Sequence, residues 1–296
     1  MKVGIAGTGK MGSVVAARLQ SLGHEVSVWN RTRARAQPLL DSGIGWAATP
    51  RELLAASDAV ITFLTYEAAL DEVYLAPAGL LSSPCGGKLL VEMSTVAPAK
   101  QQQLASRAAE AGAAYVECPV GGSVGPAKEG KLIGFAGGAA ADVERARELL
   151  AQLCRRVEHV GPHGAGATMK LAVNLPLMVY WQTLGEALSL VEPLKLDPAR
   201  VIDILSDSSG GPNMLKVRGG MIAKALAGDA GGAVTVDIAT MHKDVQKMLQ
   251  LAGSLQRQLP LTARTAQSLR EAMDEGLAQA DCAQLPVWWL KEAGRA

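Results

Sequence analysis

Short apolar runs alternate with helical stretches over the first half of the chain, and from residue 164 onward the pattern is helical throughout. Lys2-Val3-Gly4-Ile5-Ala6 reads as a strand, and residues 13–22 have helical composition closed by Gly23. Further strands fall at residues 25–29, 45–46, 58–64, 88–93 and 115–116, with late strands at 132–136 and 157–160 around a helix over 142–153. Thr49-Pro50-Arg51-Glu52 has the form of a capping box with proline at the first helical position. Beyond residue 164 a long helix is predicted to run to Glu192, with a kink at Pro176, which removes a backbone donor. Helices over 214–227, 237–251, 261–273 and a last one to Lys291 follow, with Asp197 capping another at Pro198. The pattern predicts an α/β domain over residues 1–163 and an all-helical domain over 164–296, joined by the long helix.

The first strand runs directly into Gly7-Thr8-Gly9-Lys10-Met11-Gly12 and then into a helix. Strand, Gly-x-Gly-x-x-Gly, helix is the context of a dinucleotide fingerprint: the glycines allow a tight turn and bring backbone close to a pyrophosphate at the helix N-terminus. The first domain is therefore expected to be a Rossmann domain. The plain alternative is a glycine-rich turn without a ligand. The second strand ends at Asn30-Arg31-Thr32-Arg33, with Arg35 close by, where an enzyme using NAD commonly carries an acid. Guanidiniums without an acid favour a 2′-phosphate, so NADPH/NADP is the expected cofactor. Leu64 and Thr65 lie at the C-terminal end of a strand, over the crevice where open parallel sheets bind ligands.

Two later stretches carry candidate chemistry. Glu117-Cys118-Pro119-Val120-Gly121-Gly122-Ser123 offers consecutive backbone N–H groups and one hydroxyl that could hold an anion. Gly161-Pro162-His163-Gly164-Ala165-Gly166 breaks the chain before an apolar run containing Lys170 and, one turn on, Asn174. A lysine one turn into a helix, among Met169, Leu171, Ala172 and Val173, is disfavoured as an ammonium and could serve as a general acid near neutral pH. The alternative is a lysine that snorkels to solvent.

Composition narrows the class. The chain has 296 residues, 49% hydrophobic, with 29 basic against 28 acidic side chains, enough for two domains with cores of their own. A net charge of +1 and 4% aromatics give no pull toward nucleic acid or membrane and no stacking platform. The scattered cysteines Cys85, Cys118, Cys154 and Cys282 suggest neither a disulfide framework nor a metal site, and a cytoplasmic home is expected. The N-terminus is too short and glycine-broken for a signal peptide, and no run reaches membrane-spanning length.

On these motifs, in this order, the whole chain resembles the β-hydroxyacid dehydrogenase family: residues 7–12, 117–123, 164–174 with Lys170, and Lys243-Asp244. The resemblance implies that Lys170 is the proton donor or acceptor and that Asn174 assists it. It places Thr95 near nicotinamide and substrate, and Lys243 near both as well. It also implies a small-molecule substrate and a homodimer or higher homo-oligomer. The Gly121-Gly122-Ser123 order and Asn30-Arg31-Thr32 are similar to the glyoxylate/succinic semialdehyde reductase branch, which implies reduction of a short carboxylated aldehyde or 2-oxo acid. Val236 stands near the place where that branch carries an aromatic residue over the substrate. The family's loop often reads Asp-Ala-Pro-Val-Ser-Gly-Gly, so the serine here lies further along, and Pro176 is a departure in the long helix. A 3-hydroxyisobutyrate-type dehydrogenase, an imine reductase and a non-catalytic NADP-binding protein stay open, although Lys170 counts against the last two.

Overall fold

The computed structural model describes residues 1–229 and 234–293. By its contacts the chain divides into two units, Met1–Leu171 and Ala172–Ala296. The first unit is a sheet flanked by helices. Its strands are β1 (Lys2–Ala6), β2 (Glu25–Trp29), β3 (Gly45–Trp46), β4 (Ala59–Thr62), β5 (Leu89–Glu92), β6 (Ala114–Glu117), β7 (Val120–Gly121), β8 (Leu132–Gly137) and β9 (Cys154–Gly161). Its helices are α1 (Lys10–Ser21), α2 (Gln37–Asp41), α3 (Pro50–Ala55), α4 (Glu67–Leu75), α5 (Pro98–Glu110), α6 (Val124–Glu129) and α7 (Ala140–Ala151). The strand order is β3-β2-β1-β4-β5-β6-β8-β7, with β9 beside β8. Pairing is parallel from β3 through β6, antiparallel from β8 to β6 and β7, and parallel again from β8 to β9.

Alternation along the buried strands divides the core into two layers. Ile5, Ile61, Val91 and Val116 face Val15, Leu19, Leu149 and Leu150 of α1 and α7. Their neighbours Ala6, Val60, Leu90 and Tyr115 face Leu53, Leu70, Tyr74 and Leu104 of α3, α4 and α5. A parallel strand covered on both faces must be apolar at successive positions, which is why β4 and β5 read as unbroken apolar runs. The order reverses between β1 and β4, so the turn after β1 and the end of β4 border one crevice at the strands' carboxyl ends.

The expected strands and long helices form, within a few residues of their expected ends. Three details differ. The loop expected at residues 117–123 contains β7, because Val120 and Gly121 pair with Gly134 and Ile133. Helices α2, α4 and α6 were not legible in the sequence pattern. At α3, Thr49 Oγ1 accepts the Glu52 N–H at 3.1 Å, but Glu52 Oε2 takes the Ala48 N–H, one residue before the one a capping box uses.

Helix α8 (Ala165–Val191) begins in the first unit and ends in the second. It runs through Pro176 without interruption. Proline deletes a single backbone donor, and the helix continues on both sides. The second unit continues with α9 (Pro198–Asp207), α10 (Asn213–Leu226), α11 (Ile238–Ser254), α12 (Pro260–Ala272) and α13 (Gln284–Ala293). Asp197 caps α9 through the Arg200 N–H at 3.1 Å. None of the described helices is long and apolar enough to cross a membrane.

Candidate active site

The three glycines after β1 have different physical reasons. Gly7 has φ +101, and a Cβ there would stand 2.2 Å from Phe63 O. A Cβ on Gly12 would stand 1.9 Å from Gly7 O. The fold itself thus requires both. Gly9 caps α1 in an extended conformation at φ −74, and a Cβ on it would meet nothing within 4 Å. Neither packing nor backbone conformation demands glycine there. The open space at the helix's positive end is compatible with a dinucleotide pyrophosphate coming close to this backbone. The loop therefore fits the cofactor expected from its sequence, with Lys10 and Met11 opening the helix.

The turn after β2 meets this loop. Thr8 N donates to Asn30 Oδ1 at 3.2 Å, and Asn30 Nδ2 donates to Thr32 O at 2.9 Å. Asn30 thus fastens one turn to the other. Arg31 lies 3.9 Å from Glu72 on α4, with both side chains exposed, so that pairing is weak. The Arg33 guanidinium sits 5.4 Å over the Trp46 ring. Arg35 is exposed, in a turn whose N–H bonds Thr32 O. No acid occurs between Asn30 and Ala36.

The turns after β4 and β5 are joined through a buried acid that the sequence reading passed over. Leu64 N donates to Ser94 Oγ at 2.8 Å, and Ser94 N donates to Glu92 Oε1 at 2.6 Å. The Thr62 and Tyr74 hydroxyls also donate to Glu92. Burial pushes this carboxyl up to about 7, against the hydrogen bonds from Ser94, Thr62 and Tyr74. Thr65 is exposed and Thr95 half-buried beside these anchors. The available signal was one acid closing a strand otherwise made of Leu and Val.

A second buried acid, Glu117, closes β6. Its Oε1 accepts the Gly164 and Gly166 N–H groups at 2.6 and 2.9 Å, so it caps the start of α8. Sequence reasoning assigned Glu117 only to the loop that follows. Lys170 lies one turn past Gly166 and is 8% exposed. Asn174, on the next turn, is half-buried. In the loop itself Gly121 belongs to β7, Gly122 has φ +114, and Ser123 opens α6 with a hydroxyl that makes no capping bond.

Val236 and Lys243 belong to the second unit. Val236 lies just before α11, where Cys282 N donates to its carbonyl at 3.0 Å and Thr235 N donates to Asp281 Oδ2 at 2.6 Å. Asp237 caps α11 through the Thr240 N–H at 2.7 Å. Lys243 Nζ stands 3.0 Å from Asp244 Oδ1, and both side chains are largely buried. All four cysteines are free thiols, and no group of His, Cys, Asp or Glu among the described residues could hold a metal ion.

Two family models cover the chain. That for the NAD-binding domain of 6-phosphogluconate dehydrogenase matches residues 2–161, and that for the NAD-binding region of NADP-dependent 3-hydroxyisobutyrate dehydrogenase matches residues 164–288. A 3-hydroxyisobutyrate dehydrogenase of Pseudomonas aeruginosa is 33% identical over 88% of this chain and 88% of its own length. Glyoxylate/succinic semialdehyde reductase 2, chloroplastic, of Arabidopsis thaliana is 28% identical over 95% of this chain and 77% of its own. A solved structure described as Psf3 in complex with NADP+ and 2-OPP superimposes with a TM-score of 0.86 at 26% identity, covering 96% of this chain and 99% of that one. With the glycine loop, the parallel sheet and the helical second unit, these matches show that the chain belongs to the β-hydroxyacid dehydrogenase family of NAD(P)-dependent oxidoreductases.

Proposed function

We propose that this protein is an NADPH-dependent reductase of a short aldehyde or 2-oxo acid bearing one carboxylate, of the glyoxylate or succinic semialdehyde type. The observation that carries the reading is Lys170, a buried lysine one turn into a helix whose start is fixed by Glu117. A lysine in that position can give a proton to a carbonyl oxygen. A bound nicotinamide supplies the hydride. Asn174, one turn further along the same helix face, assists at the reacting oxygen. The Ser123 hydroxyl and the backbone N–H groups of the Gly121-Gly122-Ser123 turn receive the carboxylate, without the arginine clamp that a phosphate would call for. Arg31, Thr32 and Arg35 select the 2′-phosphate of NADPH.

The test compares kcat/KM with NADPH for succinic semialdehyde and for butyraldehyde, which lacks the carboxylate, in wild type and Ser123→Ala. The charged substrate is expected to be preferred, and the preference to shrink in the variant. Butyraldehyde as the equal or better substrate, with no effect of Ser123→Ala, would remove the carboxylate site. The relationship to a 3-hydroxyisobutyrate dehydrogenase supports a second reading, oxidation of a branched 3-hydroxy acid. That substrate and a cyclic imine belong in the same panel.

A further inference from the structure

The carboxylate of Glu117 occupies a space that two backbone segments leave for it. Gly164 has φ +97, which favours glycine. A Cβ on Gly166 would stand 2.3 Å from Phe135 O, and one on Gly137 would lie 2.2 Å from Glu117 Oε1. Through this opening Glu117 Oε1 takes the two N–H groups that begin α8. The sheet alone does not call for an acid here. Buried carboxylates are unfavourable, and burial pushes this one up to about 7 despite the Gly166 and Gly164 N–H groups. The ionisable groups around it are Glu92 on β5, Tyr115 and Cys118 on its own stretch of chain, and His163 in the turn before α8. Beside it β8 presents Gly137, and the first turn of α8 presents backbone N–H groups.

An anion is favoured at a helix N-terminus because it offsets the positive end of the helix. Lys170 lies about 6 Å along the axis from Gly166, within reach of that field. Without the anion, the field would disfavour the ammonium form of Lys170. Resting on the reading of Lys170 as proton donor, we propose that Glu117 is a positioning residue for it. The carboxylate fixes the first turn of α8, and its charge keeps Lys170 protonated for proton transfer.

Wild type, Glu117→Gln, Glu117→Asp and Lys170→Ala are compared in the pH profile of kcat with NADPH and the best carbonyl substrate of the panel above. NADPH affinity and Tm are measured alongside. Glutamine can still accept the two N–H bonds but carries no charge. Its alkaline limb is expected to move toward acid by about 0.5–1 pH unit, with NADPH affinity unchanged. Aspartate keeps the charge but falls one methylene short. It is expected to leave the limb in place and lower kcat roughly 3–10-fold. A Glu117→Gln profile that superimposes on wild type, with Lys170→Ala inactive, overturns the role of Glu117 alone. Variants that lose only Tm at unchanged kcat do the same. An active Lys170→Ala overturns the proton-donor reading, and this inference with it. If Glu117→Gln does not fold, Glu117→Asp decides: a limb moved by half a unit or more, or an unchanged kcat, overturns the proposal.

Discussion

Gly9 and Gly12 stand three positions apart in one motif, and a side chain at each would meet opposite surroundings. A Cβ on Gly12 would stand 1.9 Å from Gly7 O, whereas one on Gly9 would meet nothing within 4 Å. The first is a demand of the fold; the second leaves open space at the start of α1, where a bound pyrophosphate would account for the glycine.

Gly12→Ala is therefore expected to lower Tm strongly or prevent folding, since Gly7 O is backbone and cannot move aside. Gly9→Ala is expected to keep Tm within a degree or two while weakening NADPH binding about tenfold or more. Thermal melts with cofactor titrations check both. A Gly9→Ala protein with unchanged affinity would mean that the pyrophosphate does not approach this backbone.

Lys170→Ala is expected to lower turnover by roughly 10²-fold or more, the usual scale for general acid catalysis, with NADPH binding almost unchanged. Steady-state kinetics and cofactor fluorescence give the two quantities separately. Turnover within a few-fold of wild type would take Lys170 out of the mechanism.

NADPH is expected to be preferred over NADH because Arg31, Thr32 and Arg35 surround the end of β2 with no acid among them. One charge-assisted hydrogen bond is worth about 1.5–3 kcal/mol, or roughly ten- to a hundredfold in kcat/KM. Arg31→Ala should lose about that much with NADPH and little with NADH, since the acid near it, Glu72, is 3.9 Å away and exposed. Equal use of both cofactors by the wild type refutes this. Asn30→Ala should instead weaken both cofactors together, because it unfastens Thr8.

Glu92 gives a pH dependence of stability. Its carboxyl is raised from 4.5 to about 7 by burial. A raised folded-state value favours the folded protein fully below about 4.5, and that contribution is lost as pH rises through about 7. Glu92→Gln removes the charge that burial disfavours. Its Tm relative to wild type is thus expected to improve between about pH 5.5 and about pH 8.5, by several degrees for an effect on the order of 1–2 kcal/mol. A Tm difference independent of pH would show that Glu92 does not titrate in this range.

The sequence by itself determined what depends on near neighbours. Apolar runs at Lys2–Ala6 and Ala59–Thr62 become strands covered on both faces because an unbroken apolar run is itself a local pattern. The motif at residues 7–12 turns and opens α1 because its glycines sit at fixed spacing, and the breakers before Lys170 start α8. Tertiary structure decided what depends on residues far apart in the chain. Glu117 lies 47 residues from Gly164, and Thr8 lies 22 from Asn30. In sequence Glu117 looks like the first residue of a polar turn, and Glu92 like the end of a strand. Only the closing of parallel strands side by side, Glu92 against Glu117, buries these two acids and gives one of them a helix to hold. No local pattern encodes such a contact, since burial is set by whichever strands and helices come to lie alongside.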